Sequence, residues 1–105
     1  MSRIATVALP DFGLESVPPQ IPVATYQRRL AAVVASLGRL GVDVLVVYAD
    51  REHSANLAYL TGLDPRFEEA LLLLDRRGRT LLLVGNEGMG YLPDAKLRLT
   101  VELFQ

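Results

Sequence analysis

Apolar positions recur along the chain with two different periods, and each period predicts a different element. From Thr25 to Gly41, the residues Tyr26, Leu30, Val33, Leu37 and Leu40 follow one another at spacings of four and three. That spacing gathers them on one face of an amphipathic helix. Thr25 is suited to cap its start and Gly41 to end it in the left-handed conformation, while Arg28, Arg29, Ser36 and Arg39 lie largely off the stripe. Residues 43–49, Asp-Val-Leu-Val-Val-Tyr-Ala, are apolar on both parities, the pattern of a strand covered on both faces in the middle of a layered sheet. A second helix is expected from about Arg51 to Leu60, capped by Asp50 and stopped by Gly62, with Leu57 and Leu60 pointing inward. Glu69–Asp75 and Thr80–Val84 read as the two strands of a β-hairpin, joined through Arg76, Arg77, Gly78 and Arg79. A glycine-rich loop, Gly85 to Gly90, leads to a short helix or turn near Tyr91–Ala95, and Leu97–Phe104 alternates with a period of two, predicting a last strand.

Ahead of these elements, residues 1–24 read as an extended arm. Pro10, Pro18, Pro19 and Pro22 exclude a helix through it, yet Val7, Leu9, Phe12, Leu14, Val17, Ile21 and Val23 are apolar. Such an arm lies across another surface, either its own domain or a second subunit. The chain thus divides into an arm, 1–24, and one domain, 25–105. Helices alternating with a mixed sheet make an α/β layered domain. The sequence ends on the last strand without a closing helix, so the domain reads as cut short at its C-terminus.

Composition narrows the chemistry. The chain has 105 residues, eleven Lys and Arg against twelve Asp and Glu, one His and no Cys. There is no disulfide framework and no thiolate metal site. The near-balanced charge argues against nucleic acid as a partner. No apolar run approaches the roughly 20 residues of a membrane-spanning helix, and Ile4–Leu9 is short for a signal-peptide core. The expectation is a cytoplasmic domain with no membrane partner.

The densest polar segment is Asp50-Arg51-Glu52-His53-Ser54-Ala55-Asn56, at the C-terminal end of a strand, where ligands gather in open α/β sheets. His53 is suited to acid–base work or ligation, but a metal needs two further donors, and only Asp50 and Glu52 are near. The simpler account makes the segment a cap and a solvated first helical turn. Gly85-x-x-Gly88-x-Gly90 follows a strand, like a phosphate-cradling loop, but matches neither GxGxxG nor GK[ST]. It is read as turn glycines, with a small anion or nucleotide module as the alternative. Arg76, Arg77 and Arg79 read as a solvated turn. Glu68 and Glu69 are adjacent, and at a strand their side chains point to opposite faces, so they form no dyad.

Taken in order, several segments resemble a known family. They are Tyr26-Gln27-Arg28-Arg29-Leu30, Leu40-Gly41-Val42-Asp43, Val44-Leu45-Val46-Val47 and Asn56-Leu57-Ala58-Tyr59-Leu60-Thr61-Gly62. Asp64-Pro65-Arg66-Phe67-Glu68-Glu69-Ala70-Leu71 and Leu83-Val84-Gly85-Asn86-Glu87-Gly88 extend the likeness. The chain is similar, over about residues 20–105, to the N-terminal domain of the creatinase, prolidase and Xaa-Pro aminopeptidase group of pita-bread metallopeptidases. That resemblance implies a ribonuclease-H-like three-layer fold and a non-catalytic role: shaping the active-site entrance and building a homo-oligomer. The two-metal site of such proteins, with two Asp, one His and two Glu ligands, belongs to a C-terminal catalytic domain. No catalytic or metal-binding residue carries over, and no cofactor is expected in this chain, which is not read as an enzyme by itself. Within it, Arg51, His53, Asn56 and Arg66 are the candidate substrate-entrance contacts. Tyr59 and Gly62 are structural, closing a short helix against the sheet.

Overall fold

A computed structural model describes residues 1–14 and 16–104. Helix α1 spans Val23–Leu40, strand β1 Val44–Ala49, helix α2 Ala55–Thr61, and strands β2, β3 and β4 span Ala70–Asp75, Thr80–Val84 and Thr100–Leu103. Two short 3-10 turns, Gly88–Gly90 and Ala95–Leu97, lie between β3 and β4. The sheet order is β1-β2-β3-β4. β2 pairs antiparallel with both β1 and β3, while β4 pairs parallel with β3. The mixed sheet and the α/β class are those expected. The parallel step is made by irregular chain and 3-10 turns over residues 85–99, long enough for a crossover without a helix.

The register explains the core. Val47, Leu72, Leu82 and Val101 form one row across the sheet, and Ala49, Ala70 and Val84 another. These rows meet Leu57 and Leu60 of α2, Leu63, and Leu30 and Val33 of α1. Both helices therefore cover the same face. The chain supplies two layers, sheet and helices, and the other face of the sheet is bare among the described residues.

That corrects the reading of β1. It is an edge strand, and its second apolar face is open: Val46 is 56% exposed, and Val44 and Tyr48 are similarly bare. Apolar residues on both parities predicted cover on two faces, and among the described residues only one face is covered.

The helix ends follow from local chemistry, with further corrections. α1 begins two residues before Thr25, behind Pro22, whose side chain makes no cap. Proline's fixed φ suits the entry to a helix, and Thr25 Oγ1 accepts a hydrogen bond from Arg28 instead. At the other end Gly41, φ 67°, and Val42 bond back to Gly38 and Leu37, a Schellman closure. α2 is shorter than expected and starts at Ala55, not Arg51. Asp50 Oδ1 accepts from the amides of Glu52 and His53, which holds residues 51–53 in a turn, and Ser54 precedes the helix. The last strand is confined to Thr100–Leu103 because Arg98 takes a left-handed conformation, φ 56°, and breaks the run.

Gly62 ends α2 at φ 80°, and its amide bonds to Ala58. A Cβ there would sit 2.9 Å from the Tyr26 hydroxyl. Gly62→Val is expected to cost about 1–2 kcal/mol, read as a lowered midpoint in urea unfolding, with Gly62→Asn milder. Leu57 and Leu60 point inward as expected. Tyr59 does not close the helix against the sheet. It is more than half exposed, and the Arg29 guanidinium stacks 4.1 Å above its ring while donating to the Tyr59 carbonyl at 2.8 Å. The apolar side chains of the arm, Ile4 through Ile21, stand exposed rather than packed on their own domain.

Candidate functional site

At the end of the sheet where β1 stops and β2 starts, polar side chains collect on a shallow groove. Asp50 organises it. Beyond the two amides it already holds, its carboxylate accepts from the Tyr48 hydroxyl at 3.1 Å and lies 2.9 Å from His53 Nδ1. Partial burial pushes the Asp50 carboxyl upward, but the bonds from the His53 amide, the His53 ring and Tyr48 outweigh it and leave the group below the usual carboxylate range. The same neighbours act oppositely on Tyr48. Desolvation, the bond to Asp50, and the charges of Asp50 and Glu69 push its phenol up to about 12.

Of the four candidate contacts, two share the groove. Arg51 and Arg66 line it with Phe67 and the acids Asp50, Glu52 and Glu69. Arg66 is exposed and pairs with Asp64 at 3.3 Å. His53 and Asn56 are exposed and do not line the groove, His53 with its side chain 76% open. Among the described residues, no three His, Asp or Glu side chains converge as metal ligands. Sequence reasoning missed Tyr48 as the hydroxyl bonded to Asp50, and Glu69 and Phe67 as lining of the groove. For the first two a signal existed: extending the strand parity outward puts Glu69 on the face of Leu71, beside Tyr48.

Glu68 and Glu69 diverge, as expected for adjacent residues at a strand. Glu68 turns toward the glycine loop, where its Oε2 is buried without a hydrogen-bond partner. Its carboxylate covers Gly85, in the space a Cβ would take. An anion at the Gly85–Gly90 loop would meet this like charge, which weighs against the phosphate-cradle alternative. Two of the three loop glycines serve close packing instead: Gly85 lies under Glu68 and Gly88 against Val84, while Gly90 is open.

The arginine-rich hairpin is a turn tied to Asp75. Its Oδ1 accepts from the amides of Arg77 and Arg79, and its Oδ2 meets Arg79 Nε at 2.6 Å. Desolvation raises the Asp75 carboxyl, but these bonds outweigh it and hold it low. Asp50 and Asp75 thus bind protons more weakly folded than unfolded. Their contribution to stability is present above the ordinary carboxylate pKa and lost as pH falls through the folded values. Unfolding in urea is expected to show stability falling on acidification, and Asp75→Asn to remove part of that fall. In alkaline spectrophotometric titration a tyrosine phase near pH 12 is expected, absent in Tyr48→Phe.

No protein-family profile matches the chain, and no curated protein matches it in sequence. Solved structures share its fold, among them the two that follow. The dipeptidase PepE of Mycobacterium ulcerans aligns with a TM-score of 0.67 and 22% identity, over 82% of this chain and 24% of that one. The creatinase/prolidase-like N-terminal domain of a candidate metallopeptidase from Corynebacterium diphtheriae aligns with a TM-score of 0.61 and 16% identity, over 76% of this chain and 60% of that one. The chain has the fold of a creatinase/prolidase-like N-terminal domain. It spans about a quarter of the PepE chain. No helix is long and apolar enough to cross a membrane among the described residues.

Proposed function

We propose that this chain is the non-catalytic N-terminal domain of an Xaa-Pro-aminopeptidase-like metallopeptidase, shaping the substrate entrance and mediating oligomerisation. The observation that carries the reading is the shared fold with the N-terminal domain named above, together with the order of sequence segments that resembles that family. The groove at the β1–β2 end supplies the entrance surface. Arg51 and Arg66 are its cations, suited to the carboxylate end of a short peptide. His53 adjoins it through Asp50, and Asn56 is exposed on α2. The hydrolytic residues and a dinuclear divalent metal site belong, in this reading, to a catalytic domain outside these residues, and the protein works in the cytoplasm.

The test is the reading frame beyond residue 105 and the enzyme it encodes. A domain carrying two Asp, one His and two Glu ligands supports the proposal, and a frame that stops there overturns it. In the longer protein Arg51→Ala with Arg66→Ala is expected to raise KM for an Xaa-Pro dipeptide about tenfold, the loss of one charge-assisted contact, with kcat little changed. An unchanged KM removes the entrance role.

A further inference from the structure

Phe67 differs from everything around it in the groove. Its side chain is 73% exposed. Among the described residues, every other one lining that hollow of about 550 Å³ is an acid or an arginine. A hollow of this size takes a small ligand.

The exposure of Phe67 is built into the loop that carries it, residues 64–69 between α2 and β2. Leu63 and Ala70 are buried at its two ends, and Pro65 is buried within it, where its ring fixes φ. Glu68 turns inward over Gly85, and the Arg66 amide donates to the Tyr91 hydroxyl at 3.4 Å. With these points held, Arg66, Phe67 and Glu69 are the members left open to solvent. A solvated loop needs no aromatic ring, and an open ring gains only when an apolar group covers it.

The neighbouring charge indicates which group. Arg66 directly precedes Phe67, so a guanidinium and an aromatic face are offered side by side. The last residue of a peptide carries a carboxylate and a side chain on one Cα, which matches that pair. Arg66 meets Asp64 at 3.3 Å, but both side chains are largely open to water, and such exposed pairs are weak. The acids Glu52 and Glu69 share the hollow, and a free dipeptide brings an ammonium as well as a carboxylate, so both signs find a partner. Among side chains, proline suits the ring best. Its acylated nitrogen has no N–H, so no amide donor is left unpaired against the aromatic face. Its ring is already rigid, so stacking orders no rotatable bonds, and aromatic-lined grooves recognise prolyl segments in this way.

We propose that Phe67 is a specificity-determining residue of the groove: its ring receives the pyrrolidine ring of a C-terminal proline whose carboxylate lies on Arg66 and Arg51. This rests on the entrance role proposed above and names the contact that selects proline there.

The test adds the dipeptides Ala-Pro and Ala-Gly to the isotope-labelled chain at fixed ionic strength. Shifts are read at the Phe67 ring and at the Nε–H groups of Arg51 and Arg66. Ala-Pro is expected to bind about tenfold more tightly than Ala-Gly, the size of one aromatic contact. Phe67→Ala is expected to abolish that preference and Phe67→Trp to restore it. Because the ring is exposed, thermal melting of both variants is expected to match that of the native chain. Equal binding of the two peptides, or a preference that survives Phe67→Ala, overturns the assignment and leaves the carboxylate contact of Arg51 and Arg66 standing. No response at any of the three side chains also overturns it, while the KM of the double arginine variant decides the entrance role separately.

Discussion

Replacing Leu72 by alanine is expected to lower stability by about 3–5 kcal/mol, whereas Leu73→Ala costs about 1 kcal/mol or less in the monomer. The two leucines are neighbours in the run Ala70-Leu71-Leu72-Leu73-Leu74 and have the same chemistry. Leu72 is fully buried, facing Val47 on one side and Leu82 on the other beneath both helices. Truncating it leaves a cavity at the centre of the core. Leu73 faces the bare side, opposite Val46 and Leu81. Domains of this size have only about 5–15 kcal/mol in total, so Leu72→Ala leaves a marginal fold. Thermal melting checks it, at about 4–8 °C per kcal/mol. Equal effects at the two positions would show that a second layer already covers Leu73.

Gly85→Ala is expected to destabilise by about 2–3 kcal/mol, and Glu68→Ala, which removes the carboxylate but keeps the Cβ, to relieve only part of that loss. The added Cβ would overlap the Glu68 carboxylate and also lie 2.9 Å from its Cβ. Swinging the carboxylate aside therefore does not clear it. Glu68 alone carries a second expectation. Its Oε2 is buried with no partner, and such a group costs about 1–3 kcal/mol. Glu68→Ala in the native background is expected to be neutral or stabilising. Urea unfolding of the two single variants and the double variant measures the coupling directly. A destabilising Glu68→Ala would mean that the carboxylate finds a partner in solution.

Much of this could be read from local pattern. The stripe from Tyr26 to Leu37 placed α1, and Gly41 and Gly62 stop their helices at positive φ as expected. The Asp75–Arg79 hairpin followed from one glycine between two apolar runs. Two of the misplaced boundaries share a cause: a side chain took backbone partners that a helix or strand would otherwise have used. Asp50 bonded the amides of residues 52 and 53 and delayed α2 to Ala55. Leu97 entered a 3-10 turn under Asp94, whose carboxylate accepts from Lys96, and Arg98 then broke the last strand's alternation. The candidate groove was half legible. Arg51 and Arg66 are far apart in sequence, and only the antiparallel pairing of β1 with β2, Ala49 opposite Ala70, brings their loops together.

By itself the sequence determined the periodicities, and with them the number and kind of elements, the α/β class and the mostly buried positions of α2. It did so because helix and strand periods are properties of the backbone, expressed within a few residues. Only the tertiary structure decided which parity of β1 and β2 faces the helices, that β1 is an edge, and that one face of the sheet is bare. Leu71, Leu72, Leu73 and Leu74 are indistinguishable one by one. Their roles separate only when strands distant in the chain pair in one register and the helices settle on one side, and burial then divides identical residues into core and open surface.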